Sequence, residues 1–170
     1  SVYVVDGAST AALIDGGAGN DFLSLGGLSG TSSVLGQAGE DDISIGGNAT
    51  QWLVDAGEDN DTLSLNLVGE RSTVLGGSGA DSFNIKGVSK GLVQGGVGND
   101  TYRTSDGADV ILTGGGTDTL EVVDGYTLSG ALLNASDGSL TITVLDADAN
   151  SHTVIIENHD VEPLATVRAG

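Results

Sequence analysis

The sequence predicts an all-β solenoid, wound in coils of about 18–20 residues and closed by a C-terminal β-hairpin. Three observations predict it. First, one glycine- and aspartate-rich phrase recurs, and its final Asp falls at 21, 41, 61, 81, 100 and 118. Self-similarity at a fixed period of this size marks a stacked repeat. Second, each phrase runs into an alternating apolar pair: Leu23/Leu25, Ile43/Ile45, Leu63/Leu65 and Phe83/Ile85. Alternation puts one face of a strand inward and the other outward. Third, 29 of the 170 residues are glycine and one is proline, with no three-residue period. That composition suits a chain with many tight corners.

Residues 1–15 read as a first half-coil, with strands around Tyr3-Val4-Val5 and Ala12-Leu13-Ile14 and a turn at Asp6-Gly7-Ala8-Ser9. Residues 16–120 then repeat. Each coil holds the alternating strand and a shorter second strand: Val34-Leu35, Leu53-Val54, Val74-Leu75, Leu92-Val93 and Ile111-Leu112. Two turns join them. One is the recurring phrase: Gly16 to Asp21, Gly36 to Asp41, Ala56 to Asp61, Gly76 to Asp81, Gly95 to Asp100 and Thr113 to Asp118. The other, as at Gly46-Gly47-Asn48-Ala49, holds few acids before Asp106-Gly107-Ala108-Asp109. The coil is expected to have an acidic edge and a nearly neutral one, with Trp52 packed near the neutral turn. Beyond 120 the rhythm breaks. Leu140-Thr141-Ile142-Thr143-Val144 and His152-Thr153-Val154-Ile155-Ile156 flank a turn and predict a hairpin. Such a segment covers the exposed end of a stack. The tail from Asp160 to Gly170 is expected to be irregular. The domain reading is therefore repeats over 1–122 and a capping unit over 123–170.

Composition narrows the function classes. The formal net charge is −19, from 24 acids against 5 bases. Such a polyanion repels nucleic acid and acidic membrane surfaces and attracts cations. No apolar run approaches the ~20 residues of a membrane span. Absence of cysteine excludes disulfides and thiolate metal sites. The N-terminus lacks the pattern of a signal peptide. The lack of methionine, even at position 1, suggests an excised fragment or a processed form.

The six Asp residues carry the chemistry. Stacked coils would set them about 4.8 Å apart. Two carboxylates at that distance repel by roughly 3 kcal/mol at an effective dielectric of 20. Hard divalent cations relieve such repulsion. Calcium takes six to eight oxygens at ~2.3–2.6 Å in irregular geometry, whereas magnesium demands a small octahedron.

Iterated in phase over roughly residues 13–122, the phrase resembles the nonapeptide G-G-x-G-x-D-x-(apolar)-x of the RTX (repeats-in-toxin) family. The resemblance implies a right-handed parallel β-roll with calcium between successive turns. It also implies the ligands. They are the carboxylates of Asp21, Asp41, Asp61, Asp81, Asp100 and Asp118, with Asp59 as an added acid. Carbonyls would come from Gly17, Gly19, Gly36, Ala38, Gly39, Gly57, Gly76, Gly77, Ser78, Gly79, Gly95, Gly96, Val97, Gly98, Thr113 and Gly115. Six turns leave five gaps, hence at most five Ca2+ in one column. The family motif recurs every nine residues on both edges; here one edge lacks it. Gln37, Ala56 and Asp59 stand where the motif has glycine.

Metal binding in such a chain amounts to folding. The expected function is a calcium-binding structural module of a large secreted or cell-surface bacterial protein. It would fold on Ca2+ outside the cell after the type I secretion that the resemblance implies. Alternatives are a self-assembling surface-layer or adhesin lattice module, with calcium-dependent self-association, and a non-catalytic part of a polysaccharide-modifying enzyme. No catalytic residues, nucleic-acid partner or membrane insertion are expected. His152 and His159 lack a metal-site context.

Overall fold

The computed structural model describes residues 1–6, 11–27, 30–68, 71–86, 89–105, 109–122, 127–133, 140–145, 148–156 and 164–169. The Asp106-Gly107-Ala108 turn and His159 lie outside them. The described strands are β1 (Val2–Asp6), β2 (Leu13–Ala18), β3 (Phe22–Gly26), β4 (Ser33–Ala38), β5 (Asp42–Ala49) and β6 (Leu53–Glu58). They continue with β7 (Thr62–Val68), β8 (Thr73–Ser78), β9 (Ser82–Lys86), β10 (Ser89–Val97), β11 (Thr101–Ser105) and β12 (Asp109–Gly115). The last are β13 (Asp118–Val122), β14 (Thr127–Leu133), β15 (Leu140–Leu145), β16 (Ser151–Ile156) and β17 (Leu164–Ala169).

These strands build a β-solenoid. Odd strands from β1 to β13, then β17, form one parallel sheet in chain order. The even strands from β2 to β12 form the other, which β16, β15 and β14 extend. Each coil gives one strand to each sheet, and the core positions stay in register: Leu23 pairs with Ile43, Ile43 with Leu63, and Leu63 with Phe83. Parallel pairing needs a crossover, and here the facing sheet is the crossover.

The core lies between the sheets. The odd strands send in Leu23, Leu25, Ile43, Ile45, Leu63, Leu65, Phe83, Ile85 and Tyr102; the even strands send in Ile14, Val34, Val54, Val74 and Val93. Its unequal halves follow from alternation. On the even strands the next inward position after the aliphatic residue is glycine, or Ala56. The core is therefore wide at one end of the coil and very narrow at the other.

Three expectations need correcting. The even strands are not uniformly the shorter ones: β4, β6 and β8 have six residues each, against five in β3 and β9, although β5 has eight and β7 seven. The even strands run through the first three residues of the recurring phrase, because neighbouring coils bond that backbone into the ladder, as in Gly17↔Gln37 and Ala38↔Glu58. The tail is not irregular throughout: β17 pairs in parallel with β13, which otherwise would be left with bare amides and carbonyls. The sixth turn starts one residue late. Thr113 pairs with Gln94, and a bulge before Val97↔Gly115 absorbs the shortened spacing. Gly114, not Thr113, thus occupies the first inward place.

The expected hairpin is present: β15 and β16 pair antiparallel, Leu140 to Ile156. β16 also pairs in parallel with β12, so the hairpin is built onto the stack. At the neutral edge Trp52 is buried. Its amide bonds Ser72 Oγ at 3.2 Å, as the Ala12 amide bonds Ser32 Oγ at the same distance.

Candidate metal centre

The six repeat aspartates face inward. Each sits two residues before the first inward apolar residue of an odd strand: Asp21 before Leu23, Asp41 before Ile43, Asp61 before Leu63. Strand alternation carries all six into the interior. Their exposures run from 1% at Asp61 and Asp100 to 7% at Asp118. The acidic edge is therefore an internal column of buried carboxylates. The signal was in the sequence, since Asp-x-Leu-x-Leu keeps one phase.

The column is a hydrogen-bonded ladder. The amide of Asp21 donates to Asp41 Oδ1 at 2.8 Å, Asp41 to Asp61 at 2.8 Å and Asp61 to Asp81 at 2.8 Å. Asp81 donates to Asp100 at 2.9 Å, and Asp100 to Asp118 at 2.8 Å. Below the first of them, the N-terminal ammonium pairs with Asp21 Oδ1. Each Oδ1 thus satisfies a buried amide of the preceding coil. Oδ2 is different. In Asp21, Asp41, Asp61, Asp81 and Asp100 it is buried without a hydrogen-bond partner. A buried carboxylate oxygen without a partner is costly.

In the first, second, fourth and fifth phrases Oδ2 lies against the first residue of its own phrase. A Cβ built on Gly16 would lie 2.7 Å from Asp21 Oδ2 and 3.1 Å from the Gly36 carbonyl oxygen. On Gly36 it would strike Asp41 Oδ2 and the Ala56 carbonyl; on Gly76 it would strike Asp81 Oδ2 and the Gly95 carbonyl. Glycine at this place leaves room for an acid oxygen and a carbonyl oxygen from the following coil to converge.

Charge follows burial. Burial pushes the Asp41 and Asp81 carboxyls above their ordinary range. It pushes Asp61 up to about 7, reinforced by the charges on Asp81, Asp41 and Asp59. Asp100 is likewise pushed up to about 7, by burial and then by Asp118 and Asp81. Asp21 is held low by its bond to the N-terminal ammonium. Arg103 is spent on the outer face, 2.6 Å from Glu121.

The other sequence candidates take different places. Gly17, Gly19, Gly39, Gly57, Gly77, Gly79, Gly96 and Gly98 all have positive φ, as do Gln37 and Asp59. Asp59 is exposed and outside the column. The carbonyls of Ala38, Val97 and Gly115 accept the amides of Gly19, Gly79 and Gly98 from the preceding coils. Among the described residues no three acidic or imidazole side chains gather as a metal site. A cation in the column would therefore need main-chain oxygens beside two carboxylates at most. At Asp21, Asp41 and Asp81 the partnerless Oδ2 and a neighbouring coil's carbonyl oxygen meet at a glycine-lined space, which fits a hard cation of that kind.

Sequence reasoning missed Tyr102. Its ring is buried and stacks on Phe83, centroids 5.0 Å apart, and its hydroxyl accepts the Gly95 amide at 2.9 Å. Burial, with Asp100 and Asp118 nearby, pushes the phenol far upward, so it stays neutral. No family model, curated protein or solved structure matches the chain.

Proposed function

We propose that the chain is a calcium-binding structural module of a larger secreted or cell-surface protein, of the RTX β-roll kind. The observation that carries this reading is the row of buried, partnerless Asp Oδ2 atoms, which at Asp21, Asp41 and Asp81 face a neighbouring coil's carbonyl. Calcium bound between coils would supply the positive charge that 5 bases against 24 acids do not. It would be held by Asp21, Asp41, Asp61, Asp81, Asp100 and Asp118 with main-chain carbonyls of the same turns. Calcium suits oxygens fixed by a backbone in irregular geometry better than magnesium does.

Binding of this kind stabilises only the folded state, so calcium and folding are linked. Sites of extracellular type are tuned to calcium far above cytosolic levels. The module would remain loosely folded inside a bacterial cell and become rigid outside it, which suits passage through a type I secretion channel.

Far-UV circular dichroism with Trp52 fluorescence, in chelator and then through a calcium titration, tests the reading. We expect a cooperative gain of β signal and a blue shift of Trp52 emission with calcium, and little change with magnesium. A chain equally folded and equally stable in chelator and in calcium would overturn it.

A further inference from the structure

The five gaps between the six phrases are not equivalent. In three of them the first inward residue of the phrase is glycine, with the Asp Oδ2 and the next coil's carbonyl beside it: Gly16 with Asp21, Gly36 with Asp41 and Gly76 with Asp81. The other two differ, each for its own reason.

In the third phrase the residue is Ala56. The register that pairs Asp55 with Leu35 and Leu75, and Gly57 with Gln37 and Gly77, aligns Ala56 with Gly36 and Gly76. Ala56 is fully buried. Its methyl thus stands where a Cβ on Gly36 or Gly76 would strike an acid oxygen and a carbonyl. An ion bridging those two oxygens needs that volume.

In the fifth phrase the residue is Gly95, but the space beside it is taken. A Cβ there would strike Asp100 Oδ2 and the Tyr102 hydroxyl oxygen. The same hydroxyl lies 3.2 Å from a Cβ built on Gly114, on the following coil, as does Asp118 Oδ2. The phenol oxygen therefore lies between the two coils, beside both acids, anchored by the Gly95 amide at 2.9 Å. The fourth phrase provides a comparison within the molecule. Phe83 holds the place equivalent to Tyr102 and stacks on it, and next to Phe83 the acid and carbonyl oxygens face each other at Gly76. At Gly76 the Phe83 ring edge lies 2.9 Å from a built Cβ, and the fifth gap differs from the fourth by the phenol hydroxyl and by the bulge that shifts the sixth phrase.

We infer that Ala56 and Tyr102 are built-in stoppers, which close the third and fifth gaps to cations and leave three sites in the column. This inference rests on the proposed calcium reading. It adds to that reading which gaps fill and which residues decide it. A neutral phenol oxygen and a methyl group occupy the volume of an ion without bringing positive charge.

The test is a count of bound calcium on the full chain, by equilibrium dialysis with elemental analysis, in potassium chloride to suppress loose surface binding. Four chains are compared: the parent, Ala56→Gly, Tyr102→Phe and the double variant. Circular dichroism in calcium confirms that each is folded. The parent is expected to hold three ions, each single variant four and the double variant five. A parent chain that holds five, or variants that leave the count unchanged, overturns the stopper assignment alone. No bound calcium in any of the four overturns the calcium reading, and this inference with it.

Discussion

At Asp61 an almost wholly buried carboxylate has one oxygen satisfied and one not: Oδ1 accepts the Asp41 amide and Oδ2 has no hydrogen-bond partner. Asp61→Asn keeps the first bond and removes the charge. In chelator at pH 8 it should stabilise the fold by about 1 kcal/mol, the scale of an unsatisfied buried polar group. It should also weaken the calcium-induced gain, and urea unfolding with and without calcium measures both. The same residue sets a pH dependence. An unfolded Asp titrates near 3.8, and folded Asp61 and Asp100 are pushed up to about 7. The stability these groups contribute is fully present below about pH 4 and declines as pH rises through about 7. Calcium-free unfolding midpoints should therefore fall between pH 4 and pH 8, and saturating calcium should remove much of that decline. Gln37 raises a different residue-scale point. It holds φ 86 where the other phrases mostly have glycine. Gln37→Gly should raise stability by about 1 kcal/mol, the left-handed penalty of an L residue less the added chain entropy of glycine. Thermal unfolding in calcium would show it.

At the scale of the element, each coil is a wedge whose two ends are built differently. The narrow end holds glycine and a carboxylate; the wide end holds Trp52 above Ser32 and below Ser72, one coil away on each side. The small serines leave room for one indole. Trp52→Ala should cost about 3–5 kcal/mol, as cavities left by buried aromatics do. A calcium-bound unfolding midpoint that hardly moves would show that the wide end collapses around the gap. Much of this element was legible in advance. The Asp period gave the coil length, and the Leu-x-Leu pairs gave the inward face of the odd strands. The inward Asp was legible too, had the alternation been extended two residues back. The extra length of the even strands was not, because Gly-Gly-x reads locally as turn; only the neighbouring coil, aligned through Gly57 and Gly77, makes it a ladder. β14 and β17 were hidden for a related reason. β17 is a strand through its pairing with β13, more than forty positions away in the chain, and no local pattern announces such a partner.

Among the described strands, hydrogen bonding runs only between neighbours in the stack, so stability is close to a sum of coil-to-coil interfaces. The ladder of Asp amides makes those interfaces interdependent, because each carboxylate that holds its place does so through the coil before it. Cooperativity along the column then depends on how the last coil is closed. β16 completes β12, and β17 completes β13; the antiparallel β15 and β14 turn the even sheet away from an open parallel edge. Bare edges recruit other chains. A charge of −19 opposes such association, and calcium bound as proposed would neutralise part of it. A chain ending at residue 122 should therefore stay monomeric in chelator and associate when calcium is added, whereas the full chain should stay monomeric in both. Light scattering after size exclusion distinguishes these outcomes. If the shortened chain remains a monomer in calcium with an unchanged unfolding midpoint, β16 and β17 do not protect the stack, and the repeats close themselves.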